Sequence, residues 1–167
     1  TKDAEDNTVA FNGIFDGDGY SIDHLTIAYV VTDSSHNNVG MFAEVSGTGS
    51  QVTAINLRNL SIQVIDTTAS AKVINVGGVA GKFAAYTENQ IMEDITVHGT
   101  ISVKSTLGTV HAGGVIGCDT TGYVNAGVSK VIDGAIVVAT VRAEGAVAVA
   151  GGIIGITEIT TLNNVVS

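Results

Sequence analysis

Leu57-Arg58-Asn59-Leu60-Ser61-Ile62 and, 35 residues on, Met92-Glu93-Asp94-Ile95-Thr96-Val97 share one pattern: apolar, two polar, apolar, polar, apolar. A third copy, Ile22-Asp23-His24-Leu25-Thr26-Ile27, stands 35 residues before the first. Looser copies begin at Ile132 (to Val137) and at Leu162 (to Ser167). Their short β-branched alternation reads as strand. The third position holds His24, Asn59, Asp94, Gly134 and Asn164. Asn, Asp and Gly are the residue types that tolerate a left-handed backbone, so this position predicts a corner.

A second motif, small-Gly-(Gly or Met)-apolar, keeps the same period. Its copies are Val39-Gly40-Met41-Phe42, Val76-Gly77-Gly78-Val79, Ala112-Gly113-Gly114-Val115 and Ala150-Gly151-Gly152-Ile153, with starts 37, 36 and 38 residues apart. The last three continue to a further glycine, at Gly81, Gly117 and Gly155. Two independent motifs on one period mark a repeat architecture. The series interleave with a mean step of 17.5 residues, which suggests a triangular coil of about 18 residues with three short strands and three corners. No regular Asn-Gly type turn pair calls for hairpins. The expected fold is therefore all-β, a parallel β-helix of nine coils and ~40 Å at ~4.8 Å per layer. Its inward files are expected to hold Ile22, Leu57, Met92, Ile132 and Leu162 in one column, with Leu25, Leu60, Ile95, Ala135 and Val165 in a second. The paired glycines are expected to sit where neighbouring backbones approach too closely for a Cβ.

Composition agrees. The chain has 167 residues, 45% of them hydrophobic and 14% charged, a balance opposite to that of a disordered chain. Its 21 glycines disfavour a helical domain. The net charge of −9 excludes a general nucleic-acid binder, whose affinity comes mainly from cations on phosphate. The apolar stretch Ala135 to Ile156 is broken by Arg142, Glu144 and several glycines, and reads as strands, not a membrane span. Cys118 is the one cysteine, so no intrachain disulfide can form. The chain opens without Met and stops within an apolar run, Val165-Val166-Ser167. It is read as one β-helix domain, residues 1–167, excerpted from a longer protein, with 1–10 a lead-in and 11–167 the repeats.

Phe11-Asn12-Gly13-Ile14-Phe15-Asp16-Gly17-Asp18-Gly19-Tyr20-Ser21-Ile22, followed by Leu25-Thr26-Ile27 and Val39-Gly40-Met41-Phe42, resembles the opening of the GLUG repeat family. The three later Gly-Gly segments do too, so the resemblance covers residues 11–167. Met41 stands where that pattern usually has Leu, and Ala135 where a larger residue is expected. GLUG repeats occur in bacterial surface and secreted proteins, among them adhesins and the non-catalytic regions of immunoglobulin A-cleaving metallopeptidases. The resemblance implies a right-handed parallel β-helix at the cell surface or secreted.

Candidate chemistry is thin. Asp16-Gly17-Asp18-Gly19 suggests calcium, but no third ligand and no bidentate Glu follow, so a polar turn is the better reading. His24, His36, His98 and His111 form no His-Glu-x-x-His pair; His98 and His111 could meet by stacking, yet two histidines make a poor zinc site. No motif in the sequence marks a His or a cation as the partner of Cys118, so a nucleophile is not expected there. Gly47-Thr48-Gly49-Ser50 lacks the lysine and the following helix of a phosphate loop. Tyr20, Tyr29, Tyr86 and Tyr123 are dispersed, and the carboxylates scatter, which argues against a polysaccharide-cleaving groove. A threonine ladder fails after Thr26, Ser61 and Thr96, where Ile136 and Val166 follow. No catalytic, cofactor or metal residue is assigned. The expected function is a non-catalytic extracellular spacer or adhesive segment, the alternative a carbohydrate-active enzyme or glycan-binding module. Contacts with a host protein or glycan are expected from the loops Thr32 to Asn38, Asp66 to Lys72, Tyr86 to Gln90 and Asp119 to Asn125, which vary most between repeats. Open strand edges at both ends predict end-to-end self-association.

Overall fold

The computed structural model describes residues 10–32, 37–47, 49–84, 89–119, 129–158 and 160–167. Every regular element among them is a β-strand. The first pass of the chain makes β1 (Ile14–Asp16), β2 (Ser21–Asp23), β3 (Thr26–Val31), β4 (Asn38–Val39) and β5 (Phe42–Ser46). The second makes β6 (Gln51–Asp66), β7 (Val73–Gly77) and β8 (Ala80–Ala84), the third β9 (Gln90–Ser105), β10 (Thr109–Gly113) and β11 (Ile116–Cys118). The fourth makes β12 (Lys130–Asp133), β13 (Ile136–Glu144), β14 (Val147–Gly151) and β15 (Ile154–Ile156), and β16 (Thr160–Asn163) opens the next.

All strand pairing among the described residues is parallel. The strands form one creased 8-stranded sheet, with β1-β6-β9-β12-β16 as its path and β2, β3 and β13 beside it, and two 4-stranded sheets, β4-β7-β10-β14 and β5-β8-β11-β15. The fold is thus a β-solenoid with three faces. Each full turn is longer than the interleaved motifs suggest. Ser21 lies beside Asn56 and Gln51 beside Ile91, offsets of 35 and 40 residues; only the last step, Lys130 to Thr160, is as short as 30. The expectation of 18 residues per coil is therefore corrected: the six-residue and glycine motifs occupy different sides of the same turn. Four layers at ~4.8 Å make a short stack, not a nine-coil rod.

The register also splits the expected inward file. Ile22 lies on Leu57, but Leu57 lies on Val97, while Met92 lies on Val52 and on Ile132, and Ile132 on Leu162. The six-residue motif thus serves two different corners. His24 and Asn59 turn one of them, with φ of 58° and 53°; Asp94, Gly134 and Asn164 turn the other, with φ of 53°, 67° and 50°. All five predicted corner positions do adopt the left-handed backbone. The second layer supplies the other corner through Val52-Thr53-Ala54-Ile55-Asn56-Leu57, where Ala54 has φ 53°. A slip between Leu57 and Leu60 sets Leu60 against Gly99 and shortens the later layers by one residue.

The glycine pairs mark the corner between the two smaller sheets. A Cβ on Gly113 would overlap the carbonyl oxygen of Ile116, and one on Gly114 would overlap that of Gly152 in the next layer. The close approach expected from sequence is what these positions require. Inside, Val52, Leu57, Ile74, Val76, Met92, Val97, Val110, Ile116 and Ile132 are 0% exposed. Each such side chain contributes about 1.5–3 kcal/mol by leaving water. The first layer closes partly on rings, Phe11 against Phe42 at 4.6 Å and Phe15 edge-on to Phe42 at 5.6 Å. The last layers are less covered: Val147 in the fourth is 56% exposed, and Val166, after β16, 64%. No helix among the described residues is long and apolar enough to cross a membrane.

Candidate functional site

Between its two left-handed corners, the creased sheet presents a short run of side chains away from the core. Ile55 and Leu57 point inward and are buried, which leaves Asn56 and Arg58 on the outer side. The next layer places Thr96 beside Asn56, and the Leu57–Val97 pair puts His98 level with Arg58. With Asn59 these residues line a groove of about 340 Å³. Asp23 pairs with Arg58 from the layer before. Its carboxylate Oδ1 accepts the Asn59 side-chain amide at 2.8 Å and lies 3.0 Å from His24 Nδ1. The Asn59 hydrogen bond, with lesser help from the charges of His24 and Arg58, holds the Asp23 carboxyl below its ordinary range. Asn56 Oδ1 is buried with no donor.

A second polar cluster sits inside the wall. Lys130 and Asp119 are both 0% exposed. Lys130 Nζ donates to the backbone oxygens of Phe83, at 3.1 Å, and of Asp119, lies 3.8 Å from Asp119 Oδ2, and stands 6.0 Å from the centre of the Phe83 ring. The Asp119 carboxylate accepts the Thr157 hydroxyl at 2.7 Å, the backbone N–H groups of Glu158 and Thr160 at 2.6 and 2.9 Å, and the Thr160 hydroxyl. Burial alone would raise the Asp119 pKa; the bonds from Thr160, Thr157 and Glu158, with the Lys130 charge, outweigh it and hold the carboxyl low. Burial depresses Lys130, against the opposing pull of Asp119. Lys130 shares a register position with Gln90 and Thr160. Gln90, also 0% exposed, donates to Gly47 O at 2.8 Å. These groups tie the end of one face to the start of the next layer. With every oxygen of Asp119 engaged, the cluster is a clamp.

The residues picked from sequence fall as follows. Asp16 Oδ1 accepts the Asp18 N–H at 2.8 Å and Gly17 O the Tyr20 N–H at 2.8 Å, while the Gly17 and Gly19 N–H groups bond Thr53 O and Ala54 O of the next layer at 2.9 and 3.3 Å, so Asp16 to Gly19 is a polar turn docked on its neighbour. No group of three metal-binding side chains occurs among the described residues. His98 and His111 do not meet: His98 is on β9 of the creased sheet, and His111 on β10 of another face, its Nδ1 2.8 Å from Asn75 Oδ1. Asn75 in turn donates to Asn38 Oδ1 at 2.8 Å, which makes a polar ladder across three layers. Burial lowers the His111 pKa. Cys118 is buried at the end of β11. Ser50 is buried and donates to Ser46 O at 3.0 Å.

Of the expected contact loops, Asp66 to Lys72 is described in full. Asp66 is itself buried; its carboxylate accepts Ser105 Oγ at 2.6 Å and Thr68 N–H at 2.9 Å, while Thr67, Ala69 and Ser70 are exposed. Asp119 and Gln90 were expected in exposed loops and are instead in the clamp. His36, Tyr86, Tyr123, Thr48 and most of the other three loops lie outside the described residues. Sequence reasoning missed both the groove and the clamp. Each becomes visible only when residues about 40 positions apart are set side by side. Neither a protein-family model nor a curated protein nor a solved structure matches the chain.

Proposed function

We propose that this chain is a non-catalytic β-solenoid segment of a bacterial surface or secreted protein, serving there as a spacer or adhesive element. The observation that carries the reading is the combination of a core filled layer upon layer with an outer groove that no carboxylate lines. Hydrolysis of a glycosidic bond needs two acids flanking the bond, one of them with a raised pKa. Asp23, which pairs with the lining residue Arg58, is held low and committed to Asn59 and His24. A stack of parallel ladders, in which inner strands such as β7, β9 and β11 are bonded to the layers on both sides, suits a stiff presenting element. The resemblance to GLUG repeats points to the same place, outside the cell. The test is a reducing-sugar release assay of the purified chain on a panel of plant, bacterial and host polysaccharides. No release above buffer is expected; turnover of any of them would overturn the proposal.

A further inference from the structure

We infer that the groove formed by Asn56, Arg58, Asn59, Thr96 and His98 is a binding site for an uncharged saccharide. This rests on the non-catalytic reading above and names the ligand class of that adhesive surface. The lining itself narrows the class. It contains no apolar side chain, so an aliphatic or aromatic ligand would strip water from polar groups and return nothing to them. Its one permanent cation, Arg58, already faces the Asp23 carboxylate across the β2–β6 pair, in a chain of net charge −9. Phosphate, nucleic acid or a polyanion would find there no surplus of positive charge.

What remains is a ligand that is neutral and both gives and accepts hydrogen bonds. The Asn56 side-chain amide, which lines the groove, can both donate and accept, and its Oδ1 has no hydrogen-bond partner. Arg58 can only donate, and Thr96 can do either. A sugar hydroxyl donates its proton to one neighbour while its oxygen accepts from another, so adjacent hydroxyls satisfy Asn56 and Arg58 together. The two strands that carry the lining lie one layer apart, ~4.8 Å, a distance a pyranose ring spans. The volume of about 340 Å³ is at the small end of ligand sites, which suits one or two sugar residues.

The experiment is a proton–nitrogen NMR titration of the whole chain with glucose, galactose, mannose, N-acetylglucosamine and cellobiose, with galacturonate and inorganic phosphate as charged comparators. At least one neutral sugar is expected to move the Asn56 side-chain amide together with the backbone signals of 56–59 and 96–98. Thr96→Val, which keeps the β-branched shape, and Asn56→Ala are each expected to weaken that binding about tenfold, while leaving the rest of the spectrum in place. The inference is overturned if none of the neutral sugars moves these signals at saturating concentration, if galacturonate or phosphate binds more tightly, or if both variants bind like the parent. Sugar release during the titration would instead overturn the non-catalytic reading and leave the groove assignment standing.

Discussion

Lys130→Met and Asp119→Ala together test whether the clamp holds successive layers in register. Methionine nearly fills the space of the lysine stem but removes the charge and the Nζ donors. Asp119 then keeps its donors from Thr157, Glu158 and Thr160, but it loses its counter-charge, and Phe83 O loses its donor. Asp119→Ala is harsher. It strands a fully buried ammonium and leaves the Thr157 hydroxyl and the Glu158 and Thr160 N–H groups without their acceptor. Breaking a buried pair from one side costs about 3–5 kcal/mol, so Lys130→Met is placed near ~3 and Asp119→Ala near ~5. At about 2–4 °C per kcal/mol for a chain of this size, differential scanning calorimetry should show Tm lowered by ~6–12 °C and ~10–20 °C respectively. The double variant should lose about 1–3 kcal/mol less than the two singles combined, because the partners share one interaction. A Lys130→Met variant that melts within about 2 °C of the parent, or full additivity in the double, would refute the reasoning.

Acid should loosen the same joint. The folded-state pKa of Asp119 lies below its unfolded value of 3.8, so its contribution is complete above that value and is lost as pH falls through the lower folded pKa; Asp66 behaves alike. Denaturant melts below pH 4 should show the parent losing more stability than an Asp119→Asn variant does. Lys130 has the opposite consequence at the alkaline end: its pKa is depressed below 10.5, so the cost of burying its charge is relieved as pH rises toward that value. The parent should therefore lose less stability than Lys130→Met between neutral pH and 10.5. Ala54→Gly should stabilise the fold by roughly 0.5–1 kcal/mol, since Ala54 holds φ 53° where the equivalent corner in other layers has Asp, Gly or Asn; an unchanged or lower urea midpoint would contradict the corner assignment. Gly114→Ala should destabilise by at least about 2–3 kcal/mol, because its Cβ would meet the Gly152 carbonyl and Val137, and a near-native melt would mean the layers can separate. Light scattering should detect concentration-dependent association, reduced by Val149→Lys, because among the described residues β14 and β16 each have a strand neighbour on one side only.

The repeat, the strand class and the corners belong to the sequence alone. Five positions were marked as corners because only a few residue types adopt a left-handed backbone cheaply, and all five adopt it. The glycine pairs were legible for a similar reason: an absent Cβ records a close approach whatever approaches. Coil length was not legible. Two motifs half a period apart look alike whether they stack on one another or face each other across a turn, and only pairing such as Leu57 with Val97 distinguishes the cases. The same ambiguity hid the functional surface. Arg58 and His98, or Asp119 and Thr157, carry no local signal that joins them, since what unites each pair is the backbone ladder that folds distant segments into adjacent rungs. Local residue chemistry decided where the chain bends, while the tertiary register decided which side chains share a groove and which are walled in.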